Sequence, residues 1–118
     1  MMSNEIRVFG NIERIVSVNY IGGVPVLTSF TMRLFDHDKE HWTNQTKGYD
    51  FYGPIPEKCV GHEAMYFRSN DETSTSLEIG TITPRRPGSL DGFCDIVKVN
   101  DGDPTIPHNI CGRWIQKQ

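Results

Sequence analysis

The sequence lacks several features that define specialised classes of protein. It has no run approaching about 18 consecutive apolar residues, the length that a membrane-spanning helix needs. The first residues, Met1 to Glu5, have neither the basic nor the apolar region of a secretory signal. The cysteines number three, and none stands in a Cys-x-x-Cys pair, which favours reduced thiols over a disulfide framework. These absences together predict a cytoplasmic protein without a membrane anchor.

An excess of basic residues is also missing. The chain of 118 residues has 12 Lys and Arg against 15 Asp and Glu, and its formal net charge is −3. This balance argues against a sequence-independent binder of duplex DNA, which is normally basic. It does not exclude a local basic stripe. The length predicts one domain, residues 1–118, and a hydrophobic content of 36% is sufficient for one packed core.

What the sequence does contain is a series of extended runs rich in β-branched residues. Two runs, Ile6–Tyr20 and Val24–Phe35, are joined by Gly22-Gly23 and are typical of a β-hairpin. The rest of the chain is predicted to form a polar loop at 36–48, strands at 49–52, 64–68, 76–83 and 93–99, and one helical turn at 56–60, with a bulge at Gly80. The pattern predicts an all-β fold: a small barrel of five to six short strands with at most one short helix.

The first half of the chain carries a spaced set of hydrophobic, glycine and turn positions. They are Arg7–Ile12 with its Gly-Asn break, Val16–Gly23 with its Gly-Gly turn, Val26–Met32 with Phe30, then Trp42 and Phe51–Gly53. This set resembles the opening of the bacterial and phage single-stranded-DNA-binding (SSB) protein family, over about residues 6–53. The resemblance implies an OB-like barrel that binds single-stranded DNA.

Strand alternation points independently to a face suited to nucleic acid. If Ile6 and Val8 face the core, their neighbours face outward, and the same reasoning applies to the second arm of the hairpin. One outer face then presents Arg7, Phe9, Arg33 and Phe35. Aromatic rings stack on bases and cations follow the phosphates of a single strand. Trp42, Tyr49 and Tyr52 would extend this platform, and Arg85 and Arg86 would clamp the backbone from a loop.

Other interpretations remain open for these residues. Phe9 and Phe35 would be lost to stacking if the helical turn, the tail or a second subunit covered them. Two half-sites, Cys59-x-x-His62 and His108-x-x-Cys111, have the residue types of a structural zinc site. The favoured interpretation of these four residues is ordinary buried thiols and surface histidines, and we predict no cofactor.

The sequence has no recognisable catalytic motif, so we predict a protein that is not an enzyme. The favoured function is a single-stranded nucleic-acid-binding module that stacks bases on a sheet face and forms a homo-oligomer. The alternative is a protein-binding β-barrel, an adaptor or inhibitor of the phage or mobile-element type, which the acidic net charge favours. A third class, a small-molecule-binding or carbohydrate-binding barrel, depends on the aromatics Trp42, Tyr49 and Tyr52. DNA and RNA are not distinguished at this point.

Overall fold

The structure, a computed structural model, describes residues 4–83, 95–97 and 103–115. Its strands are β1 (Ile6–Ile21), β2 (Val24–Asp36), β3 (His41–Phe51), β4 (Glu63–Arg68), β5 (Ser74–Ile79), β6 (Thr81–Thr83), β7 (Asp95–Val97) and β8 (Asn109–Arg113). A single 3-10 turn, Glu57–Cys59, lies between β3 and β4. The predicted all-β class is confirmed. Among the described residues, no helical segment has the length and apolar character needed to span a membrane.

The strands form one large antiparallel sheet and one small ribbon. The sheet has the order β3-β2-β1-β4-β5-β8, and β6 pairs with β7 in the ribbon. Strands β1, β2 and β3 are neighbours in sequence and in space, and β4 returns to lie beside β1. This arrangement is a Greek key. Across the described strands, β3 and β8 stand at the two edges of the sheet, so the described ladders do not close a barrel.

The two edges nevertheless approach each other at the end of β3. The backbone N–H of Tyr52 donates a hydrogen bond to Thr75 Oγ1 on β5, at 3.0 Å. The hydroxyl of Thr28 on the neighbouring strand β2 donates to the carbonyl of Gly53, at 2.7 Å, and holds the chain that follows β3 in place. The rings of Tyr52 and Trp114 lie 5.4 Å apart, edge to face, just beyond the end of β8. The sheet is therefore strongly curved, and individual contacts rather than a strand ladder bring its edges together.

Each face of the sheet buries its own apolar cluster. Ile12 lies opposite Met32, whereas Phe9 lies opposite both Phe35 and Met65, so these two groups point to opposite faces. The inner face holds the main core of Ile12, Phe30, Met32, Phe51, Ile55, Cys59, Ala64, Tyr66, Leu77 and Ile79. The outer face holds the smaller cluster of Phe9 and Met65, covered by Phe35, Phe67, Ile82 and Ile96. Since Ile82 and Ile96 belong to the ribbon, the ribbon covers part of the outer face.

Several predicted boundaries were wrong. The polar loop predicted at 36–48 is only a four-residue turn, because β2 continues to Asp36 and β3 begins at His41. The Asp36 carboxylate accepts hydrogen bonds from the N–H groups of Asp38 and Lys39 and thereby closes this turn. Strand β3 is polar because it is an edge strand that exposes most of its side chains. Gly80 separates β5 from β6 rather than forming a bulge within one strand.

The helical turn predicted at 56–60 is confirmed as the 3-10 turn. The strand lengths differ from the prediction of short strands, since β1, β2 and β3 contain 16, 13 and 11 residues. The described part of the chain also has more strands than the five to six expected, because the ribbon and β8 add to the central sheet.

The hairpin of β1 and β2 extends beyond the rest of the sheet. Strand β1 pairs with β4 only from Ile6 to Asn11, and β2 pairs with β3 only from Thr28 onward. Among the described strands, the ladder between β1 and β2 is therefore the only strand pairing of residues 16–27, the hairpin arm. The arm exposes Val16, Tyr20, Ile21 and Val24, which are 52%, 62%, 43% and 54% accessible.

Candidate nucleic-acid interface

The structure places the four hairpin residues of the predicted platform on one face. Phe9 is directly opposite Phe35, and Arg33 is two positions along β2 on the same side. Arg7 is two positions along β1 from Phe9 and is exposed. The alternation inferred from sequence is therefore confirmed for this outer face.

Exposure of Phe9 was predicted wrongly. Its side chain is 3% exposed, because it packs with Met65 beneath the ribbon residues Ile82 and Ile96. The His37 ring lies 6.0 Å from the Phe9 ring, measured between centroids. A ring in this position cannot stack on a base. Phe9 instead forms the support on which the exposed part of the outer face rests.

Three residues of β2 and β3 form a compact group that we call the basic aromatic platform: Arg33, Phe35 and Trp42. The Arg33 guanidinium carbon lies 4.5 Å from the centroid of the Trp42 ring. The Phe35 and Trp42 rings meet edge to face at 5.2 Å, with an interplanar angle of 73°. All three side chains are half-buried, so each is supported from below and keeps a solvent-facing part. A cation stacked on an indole in this way is a favourable contact in its own right.

Local hydrogen bonds hold the platform in shape. Arg33 Nη1 donates to the carbonyl of Thr43, at 3.2 Å, which fixes the guanidinium over the neighbouring ring. The Thr43 hydroxyl donates to the carbonyl of Leu34, at 2.8 Å, and accepts from the Gln45 N–H. The register of β2 with β3 shifts at this point, between Arg33 and Phe35. The Thr43 contacts bridge this irregularity, so the platform is preorganised rather than formed from freely rotating side chains.

The two predicted tyrosines do not join the platform. Tyr49 lies opposite Phe30 and therefore on the inner face, where its ring is 5.0 Å from the Tyr66 ring. Tyr52 follows β3 and contacts Trp114. Burial raises the pKa of the Tyr49 and Tyr52 hydroxyls, so both stay neutral at neutral pH. The prediction that these tyrosines extend the platform is wrong, because they lie on the opposite side of the edge strand β3 from it.

Two further cations near the tyrosines were not predicted. Lys47 Nζ lies 5.9 Å from the centroid of the Tyr49 ring, and Arg68 lies at the end of β4, opposite Ile6 on the inner face. Lys47, Tyr49 and Phe51 are two positions apart from one another, so in a strand their side chains share a face. Residues 36–48 were predicted as a loop, and for this reason the sequence did not place Lys47 beside Tyr49. The predicted clamp of Arg85 and Arg86 lies outside the described residues, and its role stays a prediction.

The predicted zinc set is not assembled. Cys59 is fully buried in the inner core, and burial raises the pKa of its thiol. Cys111 is exposed on β8, opposite Ser76. His62 and His108 line one cavity together, but neither cysteine lines it. Within the residues described, three or more His, Cys, Asp or Glu side chains nowhere come together as metal ligands.

Comparison of the chain with protein-family models, with curated proteins and with solved structures found no match. The functional argument for this chain therefore depends on the geometry of its own residues.

Proposed function

We propose that the chain is a non-catalytic, single-stranded nucleic-acid-binding module that stacks bases on the basic aromatic platform. The observation that carries the proposal is the Arg33 guanidinium held 4.5 Å from the centroid of the half-buried Trp42 ring, with Phe35 beside it. Bases stack on aromatic rings and on guanidinium planes, and each stacked base contributes about 1–3 kcal/mol.

The position of the platform within the fold supports the same function. It lies on β2 and β3, the second and third strands of a Greek-key sheet. OB-folds, which are partly open Greek-key barrels, use the face of strands two and three to bind oligonucleotides. This agreement is independent of side-chain chemistry, because it follows from strand order alone.

Charge predicts a binder that depends more on stacking than on phosphate contacts. Arg7 and Arg14 are exposed on the outer face, and Arg33 is half-buried there. The chain as a whole is acidic, with a net charge of −3. Each phosphate contacted by a cation contributes a slope of about −0.7 to the log-log dependence of affinity on salt for single strands. We therefore expect a shallow salt dependence of about −2 for three contacts.

The test is a fluorescence-anisotropy titration of labelled oligo-dT at about 20 and 200 mM salt. Trp42→Ala removes one stacking surface, and we expect it to weaken binding by about 5- to 150-fold. Arg33→Ala should weaken binding too, whereas Lys39→Ala removes one exposed cation from the β2–β3 turn and should leave the affinity nearly unchanged. Absence of binding at low salt rejects the proposal, as does equal loss in the Arg33 and Lys39 variants.

A second candidate function, binding to a protein, is favoured by the hairpin arm. No charged residue occurs between Arg14 and Arg33, and the arm exposes the apolar side chains already named. No other described strand pairs with the outer edges of the arm, and such edges can pair with another chain. An arm without cations suits a protein better than a phosphate backbone, and a second copy of this chain would form the homo-oligomer expected from sequence. Sedimentation velocity of the wild type and of Val24→Lys separates these functions. If the wild type assembles, the variant does not, and the wild type does not bind oligo-dT, the protein partner is favoured.

A further inference from the structure

A cleft of about 410 Å³ lies on the opposite side of β3 from the basic aromatic platform. The cleft combines aromatic and charged side chains: Tyr49, Tyr52, Tyr66, Lys47, Arg68 and Asp50. The two cations are Lys47 and Arg68, whereas the Asp50 carboxylate accepts a hydrogen bond from the Ser29 hydroxyl, at 2.8 Å. The composition matches the needs of a nucleotide, which has a planar base and an anionic phosphate.

The aromatic wall of the cleft is held in place. The Tyr66 hydroxyl donates a hydrogen bond to the carbonyl of Asp50, and its ring packs edge to face against Phe30 at 5.5 Å. Tyr49 leans on Tyr66 with its ring tilted by 38°. Tyr66 is fully buried, whereas Tyr49 and Tyr52 are only half-buried. Tyr66 therefore supports Tyr49, Tyr52 packs against Trp114, and both outer tyrosines keep a part accessible to a base.

Arg68 lines the cleft and carries an unsatisfied donor. One end of its guanidinium is paired, with Nη2 lying 3.1 Å from Glu72 Oε1. Its Nε is buried and has no hydrogen-bond partner among the residues that the structure describes. A buried N–H without an acceptor is unfavourable, and an anionic acceptor removes that penalty with a strong, charge-assisted hydrogen bond. Burial raises the pKa of Tyr49 and Tyr66, so these phenols add no negative charge that would repel a phosphate.

We propose that this cleft is a second subsite for the same nucleic-acid strand. Lys47 and Arg68 receive a phosphate, and Tyr49 and Tyr52 stack on a base. The strand reaches the cleft from the platform by crossing the exposed edge of β3. This inference rests on the proposed function, because the platform binds the first part of the strand.

The distance between the two subsites sets the length of strand required. Trp42 and Tyr49 are seven positions apart on β3, which corresponds to about 20 Å along an extended strand. Such a span needs several nucleotides, within the range of about 4–16 nucleotides that one OB-fold covers. A short oligonucleotide occupies the platform alone, and a longer one reaches both subsites.

The experiment compares oligo-dT of about 4 and about 16 nucleotides on the wild type and on three variants. Lys47→Gln and Arg68→Gln each remove one cation of the cleft, and Lys39→Gln removes a matched cation from the turn. Lys47 is exposed on an edge strand, so its replacement leaves folding intact even if Arg68→Gln lowers stability. Circular dichroism melting verifies the fold of each variant.

We expect both cleft variants to bind the long oligonucleotide about tenfold or more weakly and the short one as the wild type does. For the long oligonucleotide, the slope of log affinity against log salt should become less negative by about 0.7 in each cleft variant. If the cleft variants bind both lengths as the wild type does while Trp42→Ala loses affinity, the cleft proposal fails and the platform stands. Equal weakening at both lengths also overturns the cleft. If the wild type binds neither length, both proposals fail.

Discussion

Replacement of Gly112 by alanine tests the curvature that brings the sheet edges together. Gly112 lies in β8, and a Cβ at this position would overlap the carbonyl oxygen of Tyr52 and lie 2.6 Å from its carbonyl carbon. It would also lie 3.2 Å from Cε2 of the buried Phe51 ring. The chain beyond Tyr52 is anchored, because the Gly53 carbonyl accepts a hydrogen bond from Thr28. Alanine at 112 must therefore push β8 away from the end of β3.

The expected cost follows from this clash with backbone atoms. Overpacking of a well-packed site by a methyl group typically costs about 1–3 kcal/mol. For a domain of this size, 1 kcal/mol corresponds to roughly 4 °C in the melting temperature, so Gly112→Ala should lower it by about 4–12 °C. Gly48→Ala is the matched control, since a Cβ there has only the Phe30 carbonyl oxygen nearby, at 3.9 Å. It should melt at or slightly above the wild-type temperature, because glycine within a strand is about 0.5–1 kcal/mol less favourable than alanine.

Thermal unfolding followed by circular dichroism measures both variants under identical conditions. The atoms nearest to the methyl group at position 112 belong to Tyr52 and Phe51, so the difference between the two glycines reports on the approach of β8 to β3. A Gly112→Ala protein that melts with the wild type, or no lower than Gly48→Ala, would refute the close approach of the sheet edges.

Three further predictions concern stability and thiol chemistry. Tyr66→Phe removes the hydrogen bond to the Asp50 carbonyl and should lower the free energy of unfolding in urea by about 1 kcal/mol; an unchanged midpoint contradicts that bond. Alkylation followed by peptide mapping should modify the exposed Cys111 quickly and the buried Cys59, whose thiol pKa is raised by burial, only on unfolding; equal rates contradict the packing. Hydrogen bonds from Ser69 and Thr73 lower the pKa of Asp71 below its usual 3.8. The contribution of the ionised Asp71 to folding stability is therefore present above pH 3.8 and is lost as the pH falls through the folded-state pKa. The difference in melting temperature between wild type and Asp71→Asn should therefore be full at pH 7 and shrink below about pH 4; a difference that grows in acid has the wrong sign.

The first hairpin was predictable because its signals are local. Alternating β-branched residues specify the two strands, and Gly22 and Gly23 supply the positive φ angles, +56° and +82°, that the tight turn requires. Strand β3 was missed for a physical reason. An edge strand that exposes both faces to water has no hydrophobic alternation, so residues 41–48 look like a loop.

The candidate site was predictable only in part. The alternation of side chains along β2 predicts the side of the sheet on which Arg33 and Phe35 lie, because this side depends only on positions within their own strand. It could not show that Phe9 is covered, because the covering residues Ile82 and Ile96 lie more than 70 positions away along the chain. The half-site spacing around Cys59 was equally uninformative, because Cys59 packs in the core rather than facing His62 across a metal.

The most direct test of the proposed function uses the two tryptophans of the chain. In a Trp114→Phe variant, Trp42 is the remaining tryptophan, and its emission reports on the platform itself. Titration with unlabelled oligo-dT at low salt should quench this emission in step with binding, and raising the salt should reverse the quenching. Emission that stays unchanged while the oligonucleotide binds would place the strand elsewhere, and the absence of both binding and quenching would contradict nucleic-acid recognition by this chain.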